Sequence, residues 1–245
     1  MVLRVIPIHI KKSDISENDD IVGFMMESKV GIESGDILVI AQKIISKQEG
    51  RVINLSTIIP SELALGIANA YEKNPSIVEL ILLESKRIVK MRDGILIVET
   101  NQGPICANAG VDESNVQEGF ATLLPINPDK SAKRIHEQLR DELDMHIPVL
   151  ISDTFGRPLR IGQTDCAIGV AGIKPLLDYS GKTDGMERVL RVTEIAIGDE
   201  LCGAAELVMG KNSKCPMVII RGYDIKYEEG KAKSLLRKAN QNLFS

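Results

Sequence analysis

Runs of apolar residues divide the chain into short segments that predict β-strands. Two of these runs, at residues 36–42 and 149–152, are nearly uninterrupted Ile, Leu and Val, which is typical of strands buried on both faces. Tight-turn residues at 93–94 and 101–103 lie next to two further apolar runs and predict a β-hairpin. The predicted strands are residues 2–10, 36–42, 95–100, 105–108, 149–152, 164–173 and 217–222.

Helical spacing of apolar residues, together with capping signals, predicts the helices. Ser61 and Asn74 are predicted N-caps, Pro75 suits a first helical position, and Gly210 is a predicted C-cap. The predicted helices are residues 21–28, 60–72, 74–91, 128–143, 193–209 and a basic terminal helix from residue 230. No linker or repeat divides residues 1–245.

Two histidines lie in or near the helix predicted at residues 128–143. The apolar residues of this helix recur as a single stripe, whereas His136 stands among charged residues and His146 follows the helix. No nucleophile stands beside either histidine to suggest a catalytic triad. We therefore expect both side chains on the surface.

The first candidate for chemistry follows the apolar run at residues 149–152. Asp153 and Thr154 stand where that strand is expected to emerge, Gly156 permits a turn, and Arg157 and Arg160 follow. A carboxylate with a hydroxyl suits a divalent cation, and arginines suit phosphate or carboxylate. Alternatively, the acid and the hydroxyl only cap a turn and the arginines are solvated.

A second polar segment precedes the middle of the chain. Residues 112–115 place Asp112, Glu113, Ser114 and Asn115 after a glycine, which offers several oxygen ligands for a cation. An Asx-rich turn that only caps the next segment explains the same residues equally well.

A third polar segment, residues 43–50, follows a predicted strand. Lys43, Ser46 and Lys47 lie close together there and offer donors for a phosphate group. A solvated loop of the same composition is an equally good interpretation.

Composition limits the class of function. The 245 residues are 44% hydrophobic and 26% charged with a net charge of −4, and no basic stripe is present, so nucleic acid is not an expected partner. No apolar run approaches the roughly 20 residues of a membrane helix, so no membrane is expected either.

The N-terminal stretch lacks the features of a signal peptide. The scattered cysteines Cys106, Cys166, Cys202 and Cys215 are expected to be buried free thiols rather than zinc ligands or disulfides. We therefore expect a cytoplasmic location.

The common nucleotide-binding fingerprints are missing from the sequence. It contains neither a Walker-type glycine loop nor a Gly-x-Gly-x-x-Gly segment that opens a helix. The two acidic segments could share divalent ions, with Lys47, Arg157 and Arg160 facing phosphate oxygens. From the residues alone, the prediction is a metal-dependent site for phosphate chemistry.

Six segments, in this order, closely resemble the coenzyme F-420-0:L-glutamate ligase family, and together they cover nearly the whole chain. They are Ile45-Ser-Lys-Gln-Glu-Gly50, Ala107-Asn-Ala-Gly-Val-Asp-Glu-Ser-Asn115, Ile151-Ser-Asp-Thr-Phe-Gly-Arg157, Ala167-Ile-Gly-Val-Ala-Gly172, Met209-Gly-Lys211 and Val218-Ile-Ile-Arg-Gly222. The resemblance implies a GTP-dependent enzyme that adds L-glutamate, and in many members a second γ-linked glutamate, to the lactyl phosphate tail of a deazaflavin cofactor. It also implies an α+β fold, with mixed sheets and helices in a two-lobed chain that forms an intertwined homodimer.

The resemblance assigns roles residue by residue. It implies that Asp112 and Asp153 are catalytic and bind a first divalent metal ion, Mn²⁺ or Mg²⁺, and that Thr154 contributes to a second; potassium is a further candidate. Arg157 and Arg160 remain our own inference for an anionic group of the substrate. The residues that match GTP-contacting positions are Gln42, Lys43, Lys47, Asn115, Met209, Gly210 and Lys211.

Two positions depart from the family pattern. Many relatives have an acidic residue that helps bind the second metal ion where this chain has Lys211, and the N-terminal Pro-x-x-Gly segment of the family lacks its glycine after Pro7. An ammonium group in that place either replaces one cation or eliminates catalysis. The alternatives to a ligase are therefore a metal-dependent phosphohydrolase and a catalytically inactive nucleotide-binding sensor.

Overall fold

Each apolar run that predicts a strand contains one in a computed structural model, which describes residues 2–12 and 14–241. Its strands are β1 (Arg4–Ile8), β2 (Ile37–Ala41), β3 (Val52–Asn54), β4 (Ser85–Arg92), β5 (Ile95–Thr100), β6 (Ile105–Ala107), β7 (Phe120–Thr122), β8 (Val149–Arg157), β9 (Arg160–Ala171), β10 (Leu177–Asp178), β11 (Glu194–Ile195) and β12 (Met217–Arg221). Its helices are α1 (Ile21–Glu27), α2 (Gln42–Gln48), α3 (Glu62–Tyr71), α4 (Pro75–Leu83), α5 (Pro128–Leu143) and α6 (Ile197–Met209). The α+β class is confirmed.

A mixed sheet of five strands, in the order β1-β12-β2-β8-β9, forms the centre of the fold. β2 and β8 are parallel, and the other neighbouring pairs are antiparallel. Val39 and Leu150, in the middle of β2 and β8, are fully buried. Both faces of the sheet are covered, which explains why these strands are continuous apolar runs.

Two hydrophobic clusters cover the two faces of this sheet. On one face, which we call the α5 face, Ile135 and Leu139 of α5 pack with Ile151 and with residues of α1 and α2. On the other, the α6 face, residues of α6 pack with Leu150. Gly169 of β9 lies against the first turn of α5 so closely that a Cβ atom there would come within 2.4 Å of the Pro128 carbonyl oxygen.

Residues 55–123 build separate, smaller clusters. α3, α4 and the sheet β4-β5-β6 share one apolar cluster, and β3 pairs with β7 beside another. The predicted hairpin is present as β5 and β6, and a second hairpin joins β4 to β5 through Asp93 and Gly94, whose φ angles are 50° and 74°. Such a turn matches the twist of the strands that it connects.

The structure corrects several predicted elements. Residues 42–48 are helix α2 rather than a loop, and the helix predicted to reach residue 91 ends at Leu83, where the chain enters β4. β11 precedes α6, so that helix begins at Ile197 rather than at 193. The terminal helix predicted from residue 230 is replaced, as far as the chain is described, by short 3-10 turns at Ala232–Leu235 and Ala239–Gln241, and its remainder lies outside the described residues.

Side-chain burial corrects one histidine. His136 is buried because it continues the apolar stripe of α5, and its Nδ1 lies 2.6 Å from the Ile147 carbonyl oxygen. His146 is exposed, as expected. The four cysteines are free thiols, three of them buried and Cys166 partly buried. Among the described residues, no helix has the length and apolar character needed to cross a membrane.

Candidate functional site

The polar side chains of interest meet at the carboxyl ends of two parallel strands. β2 and β8 run side by side until Ala41 pairs with Ser152, after which β2 leads directly into α2. β8 was predicted to end at residue 152, but it continues to Arg157 and is paired there only with β9. Asp153 and Thr154 are therefore strand residues at the point where the central sheet ends, and not residues of a turn.

Strand alternation places Asp153 and Thr154 on opposite faces of the sheet. Ile151 packs in the cluster of the α5 face, so Asp153, two residues on, points to the same side. Thr154 stands opposite Asp165 of β9, and a hydrogen bond of 2.6 Å from its Oγ1 to Asp165 places both on the α6 face. The two residues therefore belong to two adjoining sets of side chains.

The set on the α6 face is centred on Asp165, which is only 7% exposed. Its carboxylate accepts hydrogen bonds from Ser152 Oγ at 2.7 Å and from Thr154 Oγ1 at 2.6 Å. The ammonium of Lys211, just after α6, lies 3.4 Å from Asp165 and 3.7 Å from a carboxylate oxygen of Glu206, and it donates a hydrogen bond to Thr154 Oγ1. Asp165 and Glu206 were not among the predicted site residues.

The other set is centred on Asp153 of the α5 face, and Asp112 lies near enough for its charge to act on Asp153. Burial raises the pKa of Asp153 to about 6, and the negative charges of Asp165 and Asp112 add to this shift, whereas a hydrogen bond from the Thr154 N–H and the positive charge of Lys211 oppose it. Within residues 2–12 and 14–241, no lysine or arginine forms an ion pair with Asp153. Asp153 is thus a partly buried carboxylate beside other carboxylates without a cation of its own.

Asp112 differs because it already has a cation. Lys43, in the first turn of α2, places its ammonium 2.6 Å from Asp112, and Ser114 donates its backbone N–H and its hydroxyl to the same carboxylate. Burial alone would raise the pKa of Asp112, but these hydrogen bonds outweigh burial and lower it. The Asx turn considered as the alternative is present, and it holds the carboxylate toward the site.

The remaining nucleotide-binding candidates lie around these two sets. Gln42 is buried with its amide bonded to Ser46 and the Leu123 carbonyl, and Lys47 pairs with Asp14 one turn further along α2. Asn115 is exposed on the loop after Asp112. At the end of α6, Met209 is buried and Gly210 is the C-cap, as predicted.

The structure does not bring the two arginines to the acidic residues. Arg157 donates to the Ile161 and Gly162 carbonyls of its own hairpin, and Arg160 is exposed at the start of β9. Four residues of extended strand separate Arg157 from Asp153, roughly 13 Å. An open depression of about 580 Å³ beside Arg221 lies at the opposite end of β2.

The donor set permits a divalent cation but is not a complete cage. Among the residues that the structure describes, no three His, Cys, Asp or Glu side chains are gathered closely enough to hold a metal ion by themselves. Asp112 and Asp153 supply two carboxylates, and Asp153 has no ion pair in the described part of the chain, so a cation fits there if water or phosphate oxygens complete its shell. Sites that bind a metal ion together with a nucleotide have this composition.

The fold and the site define a mixed α+β protein with a charge-dense site at the carboxyl ends of β2 and β8. The family model described as F420-0:Gamma-glutamyl ligase matches residues 9–222. The chain belongs to the F420-0:gamma-glutamyl ligase family.

Similar proteins support this assignment. The chain is 45% identical over 214 residues to a coenzyme F420:L-glutamate ligase of Methanocaldococcus jannaschii, an alignment that covers 87% of this chain and 86% of the relative. It is 44% identical over 227 residues to the protein of that name from Methanothermobacter thermautotrophicus, with 91% and 90% covered. The Methanopyrus kandleri protein of that name is 40% identical over 247 residues, with 99% and 97% covered.

Proposed function

We propose that this protein is an amide-forming ligase that adds L-glutamate to the deazaflavin coenzyme F-420-0 at the expense of GTP. Family membership and the names of the relatives support the two substrates. The structural observation that carries the proposal is a pair of neighbouring groups at the carboxyl ends of parallel strands: Asp153, which has no ion pair among the described residues, and Asp112, which is paired with Lys43 and whose charge acts on Asp153. Open α/β sheets bind ligands at such ends.

The chemistry requires an activated carboxyl group, because a carboxylate does not react with an amine at neutral pH. The coenzyme carboxylate attacks the γ-phosphorus of GTP, which forms an acyl phosphate and releases GDP. The α-amine of glutamate then attacks the acyl carbon, inorganic phosphate leaves with the bonding electron pair, and the amine loses a proton. The protein contributes mainly by positioning the reactants and by stabilising charge.

Asp112 and Asp153 are the residues that would hold a divalent cation, Mn²⁺ or Mg²⁺. When bound, the cation would neutralise charge on the phosphate oxygens. The raised pKa of Asp153, to about 6, leaves the carboxylate mostly ionised at neutral pH, as a ligand must be.

Lysines provide the positive charge for the nucleotide. Lys43 lies beside Asp112, within the region that a bound phosphate would occupy, and Lys47 follows one helical turn later. We propose that Asn115 and the residues from Met209 to Lys211 contact the rest of GTP. Arg157 and Arg160 stay proposed contacts for a distal anionic group of the substrate, because they are at the far end of the β8–β9 hairpin.

The oligomeric state and the two-lobed shape belong to the same proposal. The separate apolar clusters of residues 55–123 support a second lobe. We propose that the chain forms a homodimer, for which light scattering on the purified protein should give twice the 26.8 kDa of one chain. A monomer across the working concentration range would contradict it.

The test of the function is direct. The protein is incubated with the deazaflavin precursor, GTP, Mn²⁺ and glutamate, and mass spectrometry measures added glutamates while GDP release is followed in parallel. We expect glutamate to be added to the coenzyme and Asp153→Asn to abolish glutamate-dependent GDP release. Asp141→Asn, at an exposed carboxylate of α5, is the matched control and should retain normal turnover.

The outcomes separate the alternatives. GDP release that needs neither glutamate nor the precursor indicates a phosphohydrolase. Nucleotide binding without turnover on several acids and with either GTP or ATP indicates a sensor. Normal glutamate addition by Asp153→Asn would remove Asp153 from the catalytic site.

A further inference from the structure

The ammonium of Lys211 occupies the centre of the oxygen atoms on the α6 face. It donates to Thr154 Oγ1 and lies 3.4 Å from Asp165 and 3.7 Å from Glu206. These oxygens come from two strands and from α6, and one side chain bridges all of them. Lys211 extends from outside, with 62% of its side chain exposed, so it is not needed to fill the core.

The hydrogen bonds of Thr154 show how fully this set is used. A hydroxyl has one proton and two acceptor lone pairs. The Thr154 hydroxyl donates a hydrogen bond to Asp165 and accepts one from the ammonium of Lys211. A cation that bound Thr154 and Asp165 would compete with Lys211 for the same oxygens.

The α5 face has no equivalent arrangement. Lys43 lies at Asp112, but Asp153 has no ion pair among the described residues. Because Asp153 and Thr154 point to opposite sides of β8, their side chains do not bind one ion together. The two faces therefore differ in their need for an external cation.

Resting on the proposed function, we propose that Lys211 is the resident cation of the α6 face, so that this chain binds one divalent ion, at Asp112 and Asp153, instead of two. Lys211 acts as a positioning residue that holds Thr154 and Asp165. An acidic side chain at this position would reverse its effect, because it would add a carboxylate where an ammonium now stands. The number of ions bound is thus set by a single residue on a loop.

The experiment counts Mn²⁺ ions by equilibrium dialysis at saturating free Mn²⁺, with and without a non-hydrolysable GTP analogue whose own Mn²⁺ binding is subtracted. We expect about one ion per chain for the natural protein and about one more for Lys211→Glu. Lys211→Arg keeps the positive charge and should leave the count unchanged. Lys214→Glu, at an exposed position of the same loop, makes the same change of charge and should also leave the count unchanged.

Two results would overturn the inference: an equal count for the natural protein and Lys211→Glu, at any value, or two ions in the natural protein. The glutamate-addition assay on the natural protein keeps the two proposals apart. Glutamate addition with equal ion counts means that the function stands and the inference fails. An additional ion in Lys211→Glu without glutamate addition by the natural protein means that the inference about Lys211 stands and the proposed function fails.

Discussion

Replacement of Asp153 by asparagine should make the metal-free protein more stable at neutral pH, although it should eliminate activity. The carboxyl group of Asp153 has a pKa near 6 in the folded chain and an ordinary value of 3.8. A group whose folded pKa is raised releases its proton more readily in the unfolded chain, so its ionisation favours unfolding as the pH rises. Asparagine removes that cost because it carries no charge.

The size of the effect follows from the two pKa values. Each unit of difference corresponds to about 1.4 kcal/mol, which gives about 3 kcal/mol at pH 7.5, where both states are ionised. Asp153 is partly buried, and solvent screening reduces the expected gain to about 2 kcal/mol. The gain should shrink as the pH falls through 6 and be about 0.5 kcal/mol or less near pH 4, where the folded state is protonated.

Urea denaturation followed by far-ultraviolet circular dichroism, in EDTA at pH 7.5 and at pH 4, measures this difference. The chain has no tryptophan, so dichroism is the suitable signal. Asp112→Asn is the control of opposite sign, because Lys43 and Ser114 lower the pKa of that carboxyl. It should destabilise the protein by less than about 1 kcal/mol, since the pair is half exposed, and this stability is lost as the pH falls through the lowered pKa.

A clear result would refute the reasoning. If Asp153→Asn is less stable than the natural protein at pH 7.5, or if its gain does not depend on pH, the carboxylate is not held at an electrostatic cost. Asp153 would then have a compensating positive charge in the metal-free protein.

Two further substitutions test buried carboxylates at the two ends of the central sheet, Asp165 in the site and Asp36 at the opposite end of β2. Asp165→Asn should reduce the free energy of unfolding by about 2 kcal/mol, because a buried carboxylate that accepts two hydroxyl hydrogen bonds loses its charge. A change below about 0.5 kcal/mol in urea denaturation would show that the hydrogen bonds from Ser152 and Thr154 to Asp165 do not stabilise the fold. Arg221→Met should cost about 3–5 kcal/mol, because it leaves the fully buried carboxylate of Asp36 without the guanidinium that bonds it at 2.7 and 2.8 Å. Thermal unfolding checks the second effect, and an unchanged midpoint would show that the pair contributes nothing.

The sequence predicted most strands and capping residues correctly because these depend on local patterns. Ser61 and Asn74 accept hydrogen bonds from the backbone two or three residues ahead, as expected of N-caps. The prediction failed where no local signal marks a boundary. Helix α2 follows β2 without a turn residue or a side-chain cap, and α4 changes into β4 at Glu84 without glycine or proline. Tertiary packing decides such boundaries.

The site could be predicted only in part for a related reason. Asp112 and Asp153 stood out because each follows an apolar or glycine-containing segment. Asp165 lies 11 residues from its partner Thr154, and only the pairing of β8 with β9 brings the two together. His136 could have been placed correctly, because it lies four residues from Ala132 and three from Leu139, on the buried side of α5.

The irregular pairing between β8 and β9 separates like charges. Ile151 pairs with Gly169, but Ser152 pairs with Ala167, so Ile168 is an extra residue in β9. Compared with an uninterrupted pairing in which Ile168 faces Ser152, a bulge of this kind reverses the side to which the residues of β9 before Ile168 point. Without it, Asp165 would share a face with Asp153. The bulge thus decides which cation Asp165 can reach: it holds Asp165 beside Lys211 on the α6 face, although the charge of Asp165 still raises the pKa of Asp153 on the other side of β8.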